Sequence, residues 1–158
     1  MVEGNSHDAR RLLWIDDDGE KRFKYEAKKL KKRGYDIQWA QTGKQAVELL
    51  ELEDFDVVIL DQQLPWDNDA HSSVWGGILL LAWCRAEPRP GAAPAIKAWD
   101  GLFSRDSRKK NIDSKILVVS AFYDDRIAEA REKLGVKLAD TLSKPVDFPM
   151  LLARINGS

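Results

Sequence analysis

Asp16, Asp17 and Asp18 stand in a row at the end of "LLWIDDD", directly after an apolar run that reads as a buried strand. A further carboxylate, Asp61, ends a second such run, "DVVILD". Ser120 closes "KILVVS", and Lys144 follows the weaker run "LADTL" by one serine. Adjacent carboxylates repel one another unless a cation offsets them. A hard divalent ion such as Mg²⁺ takes a few carboxylate oxygens, keeps waters and leaves room for phosphate oxygens. A lysine adds a point positive charge suited to a phosphoryl group, and a hydroxyl adds a hydrogen-bond donor. Asp16, Asp17, Asp61, Ser120 and Lys144 brought together would neutralise a phosphoryl group in transit. Asp61, alone after its strand, is then the nucleophile, giving an aspartyl phosphate.

The elements needed to gather these residues are legible from the apolar pattern. "RLLWI", "YDIQWA", "DVVIL", "KILVVS" and "LADTL" read as strands, the last weakly. Between them, "EKRFKYEAKKLKKRG" places Phe23, Ala27 and Leu30 on one helical face, with Gly34 as a stop. Thr42 and Gln45 match a capping box that opens a helix burying Ala46, Val47, Leu49 and Leu50. "VWGGILLLAWCRA", "DDRIAEAREKLG" and "FPMLLARI" supply three more helices. Alternating strands and helices make a parallel sheet covered on both faces. Ligands of such sheets bind outside the carboxyl ends of the strands, where all five chemical residues fall.

Residues 84–114 break this rhythm, because a connection of that length is far longer than usual. The segment opens rich in Pro, Gly and Ala and ends in the basic run "RDSRKK". Ile96, Trp99, Leu102 and Phe103 recur at helical spacing and predict a short helix that must pack on something. Because the segment follows the third helix, it is expected at the amino-terminal edge of the sheet, away from the chemical residues, with 105–110 solvated. Among six tryptophans, Trp66, Trp75 and Trp99 are candidates for a partner surface.

Composition narrows the class. The 158 residues suffice for one domain with a real core, about residues 10–156. A formal net charge of -1 gives no whole-molecule attraction to nucleic acid. One cysteine, Cys84, excludes an internal disulfide framework and a multi-cysteine zinc site. With no apolar stretch of membrane-spanning length and no signal-peptide core, a cytoplasmic protein is expected. His71, near Asp67 and Asp69, fits no standard metal-ligand spacing and reads as part of a polar loop. "KKLKKR", 28–33, reads as a solvated face, with an acidic docking partner as the alternative.

"LLWIDDD", "VVILDQQLP", "ILVVSA" and "LSKP" occur in the order and roughly the spacing of response-regulator receiver domains, which the chain resembles. That resemblance implies an α/β, flavodoxin-like, doubly wound five-stranded parallel sheet, (β/α)5, with the insertion between the third helix and fourth strand. It implies that Asp61 is the phosphoacceptor, and that Asp16, Asp17, Asp61 and the main-chain carbonyl of Gln63 hold Mg²⁺. Ser120 and Lys144 would bind the phosphoryl group, and Asp18 would point away and help cap the first helix. The donor would be a sensor histidine kinase or histidine phosphotransfer protein. The implied role is a two-component or phosphorelay switch that catalyses only its own phosphorylation and dephosphorylation, acting by protein contact without a membrane or direct nucleic-acid role.

The chain departs from the family pattern at several points. Thr141 stands where many receivers carry a switch aromatic, and Val146 replaces an aromatic that commonly follows Lys-Pro. The loop after Pro65 is expanded by "WDNDAHSSVW", and a single receiver domain without an output domain is expected. A pseudo-receiver serving as a constitutive binding module is one alternative. A haloacid-dehalogenase-like phosphatase, with Asp16 as nucleophile in "DDDGE", is another, although Glu20 stands where that family has threonine.

Overall fold

The computed structural model describes residues 9–105, 110–121, 124–136 and 140–157. Five strands, β1 (Arg10–Ile15), β2 (Tyr35–Ala40), β3 (Val57–Asp61), β4 (Lys115–Ser120) and β5 (Thr141–Ser143), form one sheet in the order β2-β1-β3-β4-β5. Every pairing is parallel. This is the doubly wound, flavodoxin-like arrangement that the strand–helix alternation predicts. The central strands are apolar throughout, as burial on both faces requires: β3 is buried from Val57 to Asp61.

Seven helices are described: α1 (Gly19–Arg22), α2 (Lys24–Lys32), α3 (Gly43–Leu52), α4 (Gly76–Cys84), α5 (Lys97–Asp100), α6 (Asp125–Lys133) and α7 (Phe148–Ile155). The single first helix expected from sequence is interrupted at Phe23, whose backbone (φ −108°, ψ 23°) leaves helical values. Its ring stacks on Trp14 at 4.8 Å, and Trp14 stacks on Trp39 at 5.1 Å. The capping box at α3 forms with one change. Thr42 Oγ1 accepts from Gln45 N at 3.1 Å, while Gln45 Oε1 reaches past the cap to accept from Gln41 N.

Side-chain alternation divides the interior into two cores, one per sheet face. Leu13, Ile15, Val58 and Leu60 pack with α3, α4 and α6. Leu12, Trp14, Ile59 and Leu117 pack with α2 and α7. α4 is buried along its whole length, explaining its uniformly apolar sequence. No helix among the described residues is long and apolar enough to cross a membrane. The part of "LADTL" before residue 140 lies outside the described residues.

The insertion does lie between α4 and β4, but its course corrects the expectation of an amino-edge appendage. It starts and returns at that edge: buried Asn111 donates to the Leu50 and Glu53 carbonyls and accepts from Phe55 N. Ser114 Oγ donates to the Phe55 carbonyl at 2.7 Å. Its middle, however, climbs to the carboxyl edge. The Trp99 ring, 1% exposed, lies against Gly43 and Gly76, which begin α3 and α4, and meets Trp66 edge-on at 5.0 Å. The helix predicted from Ile96 to Phe103 is instead the one-turn α5 followed by a 3-10 turn, Leu102–Ser104. Trp75 and Trp99 are thus core residues and Trp66 is half-buried against them, so the three do not form a partner surface. Arg105 is not simply solvated: it pairs with Glu51 at 2.7 Å. Residues 106–109 lie outside the described residues.

Candidate functional site

Four strand ends bring the expected residues together. Asp16 follows β1, Asp61 is the last residue of β3, and Ser120 is the last of β4. Lys144 follows β5, its N–H donating to the Ser120 carbonyl at 3.1 Å, so the β4 and β5 ends are tied together. The Lys144–Pro145 bond is cis. One carboxylate oxygen each from Asp16, Asp17 and Asp61 lies within 4.8 Å of the others, the one such cluster among the described residues. His71 joins no cluster there and is exposed.

Lys144 Nζ stands 3.0 Å from Asp61 Oδ2 and 3.4 Å from Asp16 Oδ2. Both carboxylates are buried, at 5% and 2% exposure, whereas Asp17 stands at the solvent edge. Burial and the Asp16 charge together push the Asp61 carboxyl up to about 6, against the opposing pull of Lys144. Asp17 is also raised, by what burial it has and by Asp16. The cluster is therefore short of positive charge even with its lysine. Around it lies a cleft of about 240 Å³ lined by Asp17, Arg22, Asp61, Gln62, Gln63, Ser72, Ser120, Ala121 and Lys144.

Gln63 lines this cleft, and its N–H donates to Asp61 Oδ1 at 3.2 Å, fixing that carboxylate from the chain itself. Asp18 corrects a detail of the sequence reading. It occupies the N-cap position of α1 but makes no side-chain capping bond; its carboxylate pairs with Arg22 at 3.5 Å.

Several contributors escaped the sequence reading. Gly77 lets α4 press on the site: a β-carbon there would lie 2.5 Å from the Asp61 carbonyl oxygen and 2.7 Å from Gln62 Cα. The available signal was the Gly76–Gly77 pair opening an otherwise bulky apolar helix. Gln62, 2% exposed, accepts from Arg131 Nη1 of α6 at 3.0 Å, linking the residue beside Asp61 to that helix. Arg22 and Ser72 reach the cleft mouth, Ser72 from the expanded loop that Leu64 and Ser73 close by pairing.

No protein-family model matches the sequence, and no curated protein sequence matches it. Solved structures do match its fold. The receiver domain of a Francisella response regulator has 24% identity and a TM-score of 0.63, with 93% of each chain covered. A receiver domain protein from Methanospirillum hungatei JF-1 has 22% identity and a TM-score of 0.62, over 93% of this chain and 90% of the other. A response regulator protein from Burkholderia pseudomallei, solved with a phosphorylated aspartic acid, a calcium ion and citrate, has 24% identity and a TM-score of 0.60. That match covers 92% of this chain and 66% of the other. In fold, and over nearly its whole length, this chain is similar to response-regulator receiver domains.

Proposed function

We propose that the chain is a phosphorylation-controlled signalling switch of a two-component or phosphorelay system, with Asp61 as the phosphoacceptor. The observation that carries this reading is Lys144 Nζ held between buried Asp61 and Asp16 in a cleft that Ser120 also lines. An Asp61 carboxylate oxygen attacks the phosphorus of a phosphohistidine on a sensor kinase or phosphotransfer protein. The new P–O bond forms as the P–N bond breaks, and the electron pair leaves on the imidazole. Lys144 and the Ser120 hydroxyl then donate to phosphoryl oxygens. The protein catalyses only this transfer and the later hydrolysis, in which water takes the phosphoryl group as inorganic phosphate and the Asp61 carboxylate is restored, and it acts in the cytoplasm through protein contact.

A divalent cation fits the donor set, which is all oxygen, tightly grouped and in deficit of positive charge. Asp16, Asp17, Asp61 and the Gln63 main-chain carbonyl would hold Mg²⁺, which supplies charge neutralisation for the transferring phosphoryl group. With Thr141 in place of a switch aromatic, the Ser120 loop and the Gln62–Arg131 bond carry the change towards α6. Ala121 is exposed at the start of that loop, and Phe122 lies outside the described residues. The phosphatase reading is weakened because Asp18, the second carboxylate of its motif, turns to Arg22.

Intact-mass measurement after incubation with Mg²⁺ and acetyl phosphate tests the proposal. One phosphoryl group should add, and addition should fail with Asp61→Asn or without the metal. Full modification of Asp61→Asn under the same conditions overturns it.

A further inference from the structure

A second concavity lies away from the Asp61 cleft. A groove of about 670 Å³ runs between α2 and β2, with Trp39 and Ala27 at its floor and Lys21, Lys24, Lys28 and Lys31 along its wall. These lysines, Lys21 on α1 and the other three on α2, are exposed, and none pairs with a carboxylate among the described residues. Their neighbours on the same helix are occupied otherwise: Lys29 lies over the Tyr25 and Phe148 rings, and Arg33 over Phe148. Residues 19–33 hold eight Lys and Arg against two Glu, in a chain whose net charge is -1. Four of those eight line the groove, against Asp18 and Glu20 at one end of it.

The groove reaches the terminal strand of the sheet at Trp39, with Gln41 just beyond it. β2 pairs only with β1, so its outer N–H and C=O groups form an open ladder edge beside the lysines. Ile37 and Trp39 point to the α2 side and are half-buried, while Asp36 points to the opposite face, 3.9 Å from Arg11.

We propose that this groove takes an acidic, extended polypeptide segment of a partner protein, added to β2 as a further parallel or antiparallel strand. A polypeptide is the ligand whose main chain matches an open strand edge. Same-face side chains of a strand repeat about every 6.7 Å and one helical turn advances about 5.4 Å, so alternate residues of the added strand meet successive lysines once the long lysine stems take up the difference of about 1.3 Å per step. Those alternate residues are acidic; the intervening ones face Asp36 and Gln38 and are neutral or basic. A nucleic acid fits less well, because the wall offers lysine without arginine forks and a nucleic acid has no main chain to pair with a strand edge. The groove contains none of Asp16, Asp17, Asp61, Ser120 or Lys144, so the inference stands apart from the phosphorylation reading.

The test uses the full chain and a fluorescent peptide alternating Glu with Thr and Val, followed by anisotropy and amide exchange. The peptide should bind at low salt and protect amides 35–40. Lys28→Glu with Lys31→Glu should weaken binding about tenfold while leaving the melting curve unchanged. N-methylating the peptide amides that would pair with β2 should abolish binding. No peptide binding, an unchanged affinity in the double variant, an equal affinity for the N-methylated peptide, or no protection of 35–40 overturns the inference. So does tighter binding of an oligothymidylate than of the peptide, which assigns the groove to nucleic acid.

Discussion

Replacing Asp61 with asparagine should stabilise the metal-free protein at neutral pH. Asp61 ionises in the unfolded chain near 3.8, whereas burial and Asp16 raise it to about 6 in the folded protein. A raised carboxyl pKa means that the folded state binds the proton more tightly than the unfolded state. Stability is therefore gained as pH falls through about 6 towards 3.8 and lost as it rises, the opposite of an ion-paired carboxylate. The shift of about two units corresponds to about 3 kcal/mol of destabilisation at pH 7. Asparagine keeps the shape and removes the charge, so Asp61→Asn should recover much of that, raising Tm by roughly 5–10 °C for a domain of this size. Thermal melts in EDTA between pH 5 and 8 measure this directly. The wild-type Tm should fall from pH 5 to 7 relative to the variant, and Mg²⁺ should raise only the wild-type value at neutral pH. A lower Tm for Asp61→Asn than for wild type in EDTA at pH 7 would refute the electrostatic reasoning.

Lys144→Met leaves Asp16 and Asp61 without their shared cation, so the metal-free protein should lose about 3 kcal/mol or more. The same variant should show a larger Mg²⁺-induced rise in Tm, read by paired melts. Gly77→Ala drives a methyl against the Asp61 carbonyl and the Gln62 backbone, and should cost about 1–3 kcal/mol while slowing phosphorylation in a stopped-time mass assay. Trp99→Ala empties a buried site between α3, α4 and Trp66 and should cost about 3–5 kcal/mol by urea melts. A red shift of tryptophan emission should accompany it as Trp66 loses its neighbour.

The sheet and the chemical cluster were legible because both rest on strong local signals. A continuous apolar run such as "DVVIL" has few places to go except the middle of a parallel sheet, and the carboxyl edge is where such sheets present side chains. Asp16, Asp61 and Lys144 therefore converge as the strand ends require. The insertion was not legible in the same way. Its attachment points do lie at the amino edge, but thirty residues are long enough to run back along α4, and burying Trp99 favours that path. Paired small residues recorded this contact: Gly43 and Gly76 are where the Trp99 ring comes closest. Tryptophan count alone pointed the wrong way, since a ring's burial depends on packing partners distant in sequence. The break at Phe23 was hidden because helical periodicity continues through it, and the stacking on Trp14 and Trp39 that accompanies it is tertiary.

Borohydride trapping identifies the phosphorylated side chain. Treating the protein with acetyl phosphate and Mg²⁺, then reducing, converts an acyl phosphate to an alcohol that peptide mass spectrometry can place. The reduced side chain should lie at position 61, and its formation should require the metal. Reduction at Asp16, or no reduction anywhere in a folded protein, would contradict it.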